Sequence, residues 1–247
     1  MGIFDDIIQS ASAAVDAATP EHVQREREEE QKTKAWFEAR LGFFNASELP
    51  KMMTKGRGKD EVWGATARAV IDKVIVERSM TPEGREMYVA ELMAKEFRPT
   101  RWGNEHEPAA RAALSEFIGE EIQEVGSEIH PQIAYFRGSA DGITESGIPV
   151  EIKCPYDPIK HQANLHLVRT GIDLKHEYYA QIQSHMMIHG ADKCYFASYD
   201  PRRAAPDNLA VIEVERDEVY IAAIKERLEA AEGIVQDYLL TTNTQEK

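Results

Sequence analysis

The strand-forming runs of this chain all fall in one stretch, and that segregation limits its fold more than any other feature. They begin with "IQEVGSEI" at Ile122 and end with "LAVIEVE" at Glu215, with "IAYFRG", "IPVEIKC" and "KCYFASYD" between. Helical patterns fill the rest. "TPEHVQREREEEQKTKAWFEARLG" opens with Thr19 as a candidate N-cap and Pro20 at the first helical position. Ser47 in "NASELPKMM" is a second N-cap candidate, with Pro50 in the first turn. "DEVWGATARAVIDKVIVERSM", "TPEGREMYVAELMAKEF" and "GNEHEPAARAALSEFIGEEI" read as further helices, the last with Pro108 tolerable only near its start. Another is expected from about Asp173 to His189, between the third and fourth strand runs, and a last one from about Asp217 to Tyr238. Helices, then a small mixed sheet interrupted by one helix and closed by another, specify an α/β (α+β) domain. Cutting the chain would leave the sheet without its covering helices. The expected organisation is an N-terminal helical extension over residues 1–30, a single domain over 31–240, and a frayed tail over 241–247.

Composition excludes several classes. No apolar run reaches the ~18 residues of a membrane span, and the start lacks the basic region and long apolar run of a signal peptide. "MGIFDD" also lacks the Ser or Thr of a myristoylation motif. A cytoplasmic protein is expected. Two cysteines, Cys154 and Cys194, cannot build a disulfide framework, a four-cysteine zinc site or an iron–sulfur cluster. The net charge of −14 argues against a generally basic, nucleic-acid-coating surface. It leaves room for a local basic channel, and the charge is uneven. "REREEEQ" and "EVERDE" are acidic, whereas "KMMTKGRGK" carries Lys51, Lys55, Arg57 and Lys59 with no acid. Its glycines mark it as a loop. It is either a solvated surface loop or a finger that tracks phosphates.

The stretch "VEIKCP", Val150–Pro155, carries the chemistry. Val150, Ile152 and Cys154 read as core. Glu151 and Lys153, two residues apart on a strand, then share the other face. "GSADGI" precedes it, with "TESG" as the turn, and a hairpin would set Asp141 beside Glu151. Upstream, Glu107 lies on the helix "EPAARAAL". Three carboxylates from three elements, with one lysine, can converge. Carboxylate oxygens suit hard cations, and magnesium commonly takes one or two of them plus substrate phosphate. Such a cation polarises a scissile phosphate, while Lys153 can orient water, act on its proton or stabilise charge. Taken alone the pattern is ordinary: Asp141 would make a turn with Gly142, and Glu151 would pair with Lys153. An exposed pair of that kind is worth only ~0–1 kcal/mol, which is little reason for the arrangement.

Together the motifs resemble those of the phage-type alkaline exonucleases of the lambda exonuclease and YqaJ viral-recombinase family, within the PD-(D/E)xK nuclease superfamily. "AWFEARLGFFNASE" resembles the family's Arg-bearing motif and "WGNEHEPAAR" its helical Glu motif. "GSADG" resembles the metal-binding Asp motif, "VEIKCP" the Glu-x-Lys motif, and "YYAQIQ" a Tyr-x-x-Gln-x-Gln helix. "YFASYDP" and "VIEVERDE" resemble the strands that close the sheet. The likeness runs from about Ala35 to Tyr220, and Ala140 stands where the superfamily name has Pro.

The resemblance implies a restriction-endonuclease-like core and a processive 5′→3′ exonuclease on double-stranded DNA. Such an enzyme releases 5′-mononucleotides and leaves 3′ single-stranded tails for recombination by annealing. By the same likeness Asp141, Glu151 and the backbone carbonyl of Ile152 hold one Mg²⁺ or Mn²⁺, Glu107 joins Asp141 at a second, and Lys153 is the catalytic lysine. Arg40, Ser47, Ser139 and Gln183 would bind the 5′-terminal phosphate, and Lys51, Lys55, Arg57 and Lys59 would track DNA. The implied assembly is a homotrimeric ring, the implied partner a single-strand annealing protein, and the implied setting a phage or prophage gene product in a bacterial host. Two alternatives stay open: a restriction or repair endonuclease of the same superfamily, and a catalytically silent DNA-end-binding protein.

Gln181 and Gln183 stand about 200° apart on a helix, so both cannot face the site, and Gln183 is the choice for phosphate. His185 and His189 have zinc-like i, i+4 spacing but no third ligand nearby. Trp36, Trp63 and Trp102 are expected in the core, as are Met186, Met187 and Ile188.

Overall fold

The computed structural model describes residues 33–58, 61–94, 98–172 and 177–245. The expected extension over residues 1–30, its Thr19–Pro20 helix start and Lys59 lie outside the described residues.

The described chain runs α1 (Lys34–Arg40), β1 (Phe44–Asn45), a 3₁₀ turn (Ala46–Glu48), α2 (Leu49–Met52), α3 (Ala65–Ser79), α4 (Pro82–Ala94) and α5 (Arg98–Ile118). Then follow β2 (Ile122–Gln123), β3 (Glu128–His130), β4 (Ile133–Gly138), β5 (Gly142–Thr144) and β6 (Pro149–Lys153). The chain ends with α6 (Pro158–Thr170), α7 (Tyr179–His189), β7 (Lys193–Tyr199), β8 (Leu209–Glu215) and α8 (Glu218–Gln245).

The strand runs form two sheets where one was expected. A five-stranded sheet has the order β2-β5-β6-β7-β8, and a three-stranded sheet the order β1-β4-β3. "IQEVGSEI" is divided between them, and "GSADGI" crosses from one to the other through Ser139, Ala140 and Asp141. Alternation along a strand says which face is buried, but not which strand lies alongside.

In the larger sheet β5 and β6 are an antiparallel hairpin with Gly142 opposite Val150. β6 and β7 are parallel, which demands a crossover. Helices α6 and α7 supply it. Helix α6 was not anticipated, although its start is written in the sequence. Asp157 caps it by accepting the Ile159 N–H at 2.9 Å, and Pro158 takes the first turn. The helix expected from about Asp173 begins at Tyr179, and α8 runs on to Gln245 instead of ending near Tyr238. Pro108 lies well inside α5 rather than near its start. Its missing N–H leaves the Asn104 carbonyl without a helical donor. Asn104 lines an open cleft rather than the core, so that carbonyl has room for another partner. Ser47 falls within the 3₁₀ turn and caps no helix.

Both faces of the larger sheet are covered. On one, Ala110 and Leu114 of α5 pack on Ile122, Val150, Ile152 and Ala197. On the other, Tyr179, Ile182 and Met186 of α7 pack on Cys194, Phe196 and Val214. A second cluster joins α2, α3 and α8 to the smaller sheet through Leu49, Met52, Val74, Ile224, Leu228, Phe44 and Phe136. The strand face that carries Glu151 and Lys153 therefore meets α7 rather than solvent.

Candidate active site

The hairpin register puts Asp141 directly outside the last β5–β6 pair, facing Glu151. Its backbone N–H donates to the Val150 carbonyl at 3.0 Å, and its Oδ2 accepts the Ile152 N–H at 2.6 Å. Asp141 thus replaces the strand where β5 is missing. A residue's N–H and C=O leave a strand on the same edge, so the Ile152 carbonyl points to that strand-free edge too. Two glycines make this corner possible. A β-carbon on Gly138 would stand 2.6 Å from Ile188 Cδ1 and 3.0 Å from Ala46 Cβ, and one on Gly142 would stand 2.5 Å from Ile122 Cγ2. The glycines of "GSADG" are there because neighbouring elements come too close for any side chain.

Glu151 is fully buried. The Lys153 ammonium pairs with its Oε1, and the imidazole Nε2 of His185, also fully buried, lies 2.8 Å from its Oε2. The ion pair is therefore internal, not a solvated surface pair. Lys153 stands where "CP" ends the strand, and Tyr178 lies beside it with its ring centroid 5.3 Å from Nζ. Burial opposes the charge on Lys153, but Glu151 and Asp141 outweigh it and raise its pKa above the usual lysine value. Lys153 is a firm cation. Burial also opposes charge on Glu151, and there Lys153 and His185 prevail and lower its pKa. Asp141 is raised, by burial first and then by the negative charge of Glu151.

A cleft of about 300 Å³ opens over this group, lined by Glu107, Asp141, Ile152, Lys153, Cys154 and Asn104 among others. Glu107 reaches it from α5. Arg111, one turn on, donates to Glu107 at 2.9 Å and to the Asp141 carbonyl at 2.9 Å, tying helix to hairpin. The cleft continues past Lys153 into a second lobe lined by Pro155, Tyr156, Lys160 and Tyr178. Among the described residues no three His, Cys, Asp or Glu side chains already stand grouped to hold an ion. The donor set still suits magnesium, which needs only one or two carboxylates beside other oxygens. Asp141 and the Ile152 carbonyl share an edge, and Glu151 is close enough to raise the Asp141 pKa.

A second cluster assembles at the start of the domain. Arg40 donates from Nη2 to Ser47 Oγ at 3.1 Å, and its guanidinium lies over the Trp36 ring at 4.3 Å. The Trp36 indole N–H in turn reaches Ser139 Oγ at 3.5 Å. Trp36 is thus part of this cluster and only half-buried, and Trp102 is likewise half-buried, under the Arg202 guanidinium. Of the three tryptophans only Trp63 is buried as expected. The backbone around Arg40 is pinned. Arg137 donates to the Ala39 carbonyl, Glu77 accepts the Gly42 N–H at 2.8 Å, and Arg78 donates to the Gly42 carbonyl at 2.7 Å. Burial pulls the Arg40 pKa down to about 10, against Glu48 and Glu77, which raise it. Among the described residues no carboxylate forms an ion pair with Arg40. Its planar fork of N–H donors has the chemistry to receive an anion such as phosphate.

Gln183 does not join this cluster. Its Nε2 donates to the Glu215 carbonyl at 2.8 Å, and its Oε1 accepts the Asp217 N–H at 2.8 Å, so both ends serve the corner between β8 and α8. Helical spacing puts Gln181 on the side of His185, four residues on, which faces Glu151. In this structure the Gln183 amide, chosen from the sequence for phosphate, is bonded at that corner, and Gln181 lies on the side of α7 that carries His185. His189, one turn after His185, has its Nδ1 3.4 Å from Glu128 Oε2. Lys51, Lys55 and Arg57 are exposed on α2 and the loop that follows it. Arg227 of α8 closes the base of that loop, donating to the Met52 and Thr54 carbonyls and lying 3.9 Å from the Trp63 ring. No pattern in the sequence signals that His185 meets Glu151, since only the packing of α7 beneath β6 brings them together.

A family model described as the YqaJ-like viral recombinase domain matches residues 35–192. The fold is similar to that of an alkaline exonuclease, LHK-Exo, from Laribacter hongkongensis, with 30% identity and a TM-score of 0.69 over 87% of this chain and 100% of that one. The same protein solved in complex with dAMP matches at 29% identity and a TM-score of 0.69, over the same shares of the two chains. A phage-related exonuclease from Haemophilus somnus 129PT shares the fold, at 18% identity and a TM-score of 0.56 over 81% of this chain and 96% of that one. No curated protein matches the chain.

Proposed function

The chain belongs to the YqaJ-like viral recombinase family, and from that premise we propose that it is a metal-dependent 5′→3′ exonuclease on double-stranded DNA. It releases 5′-mononucleotides and leaves 3′ single-stranded tails for recombination by annealing. One observation carries the reading: Asp141, the strand-free edge at Ile152, Glu107 and Lys153 meet on a single cleft, with Glu151 directly behind Lys153. Similarity to an alkaline exonuclease over the whole length of that protein supports it.

In this reading Asp141, Glu151 and the Ile152 carbonyl hold one Mg²⁺ or Mn²⁺, and Glu107 with Asp141 holds a second. Bound there, the cations would polarise the scissile phosphate and raise the acidity of attacking water. The residues do the rest. Glu151, which now pairs with Lys153, would be the oxygen donor for such a cation, and Lys153 would then be available to the phosphate. The Lys153 ammonium there would stabilise charge on the phosphate or orient water. Arg40, Ser47 and Ser139 hold the 5′-terminal phosphate through charge-assisted hydrogen bonds. Lys51, Lys55, Arg57 and Lys59 follow the backbone of the duplex. The enzyme acts as a ring-shaped homotrimer in the cytoplasm of a bacterial host and hands its product to a single-strand annealing protein. Among the described residues no helix is long and apolar enough to cross a membrane.

One gel tests the reading, using 5′-labelled, 3′-labelled and circular duplexes with Mg²⁺. The 5′ label should leave as mononucleotide, the 3′ label should stay on long single strands, and circles should survive. Cut circles would favour an endonuclease. Protected ends with no metal-dependent release would favour an end-binding protein.

A further inference from the structure

His185 has no part in the reaction as drawn above, yet it is a fully buried imidazole on a fully buried carboxylate. Glu151 forms an ion pair with Lys153, and a carboxylate in such a pair accepts hydrogen bonds. The hydrogen between Oε2 and Nε2 therefore belongs to the histidine. The other oxygen, Oε1, is the one that Lys153 holds. The two partners divide the carboxylate. His185 comes from α7, below the sheet, and is fixed by the packing of that helix, with the neighbouring Ile188 against Gly138. Lys153 comes from the cleft side and is partly exposed.

We propose that His185 is a positioning residue for the metal site: it holds Glu151 Oε2 inside the protein and presents Oε1 alone to the cleft, where a divalent cation replaces the Lys153 ammonium. The proposal rests on Glu151 being a metal ligand. Its consequence is chemical. A carboxylate that offers one oxygen suits Mg²⁺ and Mn²⁺, which accept single-oxygen ligation in tight octahedral sites. It suits Ca²⁺ less, since that ion takes more ligands and readily uses both oxygens of a carboxylate. Hydrogen-bond partners of this kind set ligand orientation, and losing one typically costs about 10–100-fold in metal affinity.

The test compares two substitutions of similar size in the full-length protein, His185→Gln and His185→Leu. Glutamine can still donate one N–H toward Glu151, whereas leucine fills the space without a donor. Mn²⁺ and Ca²⁺ binding is measured by calorimetry, with thermal melts to show that both variants fold. His185→Gln should bind Mn²⁺ close to wild type. His185→Leu should lose about 10–100-fold and discriminate less between Mn²⁺ and Ca²⁺. Equal Mn²⁺ affinity in the two variants overturns the proposal, whether both are weak or both normal. Glu151→Gln is the control for the underlying reading. If it binds Mn²⁺ like wild type, Glu151 is not a ligand and both readings fall. If it loses Mn²⁺ while the two His185 variants agree with each other, only the role of His185 falls.

Discussion

Lys153 pairs with Glu151 at the end of a buried strand, and in the proposed reaction its charge is what the site would lend to a substrate. Lys153→Ala should lower the single-turnover rate by about 10²–10³, while binding of a duplex end, measured by fluorescence anisotropy, survives. A folded mutant with near-normal turnover would assign the chemistry elsewhere. Arg40 works differently. Burial lowers its pKa, and among the described residues no carboxylate forms an ion pair with it, so in the proposed pocket a phosphate would supply its counter-charge. A hydrogen bond to a charged group contributes roughly 1.5–3 kcal/mol, or about 10–150-fold. Wild type should therefore prefer 5′-phosphorylated over 5′-hydroxyl ends by about that factor, and Arg40→Ala should erase the preference and shorten each run. Matched duplexes with a DNA trap added after initiation provide the measurement. Equal wild-type rates on the two ends would remove the pocket from the mechanism.

At the scale of elements, the site depends on the approach of α7 to the corner between β4 and β5. Helix α7 brings His185 under Glu151 and Ile188 against Gly138 in the same stretch. Gly138→Ala would push a methyl group into Ile188 and Ala46, and overpacking of this kind costs about 1–3 kcal/mol. For a domain of this size that is a fall of several degrees in Tm. The displaced helix should also loosen the hold on Glu151, so Mn²⁺ affinity should fall together with Tm. A variant with unchanged melting would mean that the neighbours give way easily. Helix α1 is fixed by similar means. Arg137, Glu77 and Arg78 grip the backbone on either side of Arg40, so a short helix with no buried residue of its own still presents its arginine in one place.

Across the whole molecule the net charge of −14 opposes DNA binding, and the exposed cations of the loop after α2 are a local exception anchored by Arg227. Salt dependence reads such contacts directly, at about 0.9 units of log–log slope per phosphate on duplex DNA. Reversing Lys55 and Arg57 together to Glu should flatten the slope by roughly two contacts and shorten processive runs. Hydrolysis of the first nucleotide should change far less. An unchanged slope would mean that the loop points away from the duplex. Sedimentation of the wild type should give three subunits, and a monomer that stays processive would remove the ring.

The sequence by itself determined the local chemistry. Period-two alternation put Glu151 and Lys153 on one face, a short turn set Asp141 opposite Glu151, and helical spacing showed that Gln181 and Gln183 could not both face the site. Each of these follows from geometry within one element or between adjacent ones. Tertiary structure decided what covers each face. It buried the Glu151–Lys153 pair under α7, supplied His185 as the second partner, turned Gln183 to the corner between β8 and α8, and split the strands between two sheets. It also brought Ser139 to Trp36, Arg40 and Ser47, a hundred residues away in the chain. Periodicity fixes the direction in which a side chain leaves its backbone. The neighbour waiting there is chosen by packing between segments far apart in sequence, and that choice is written in no single stretch of it.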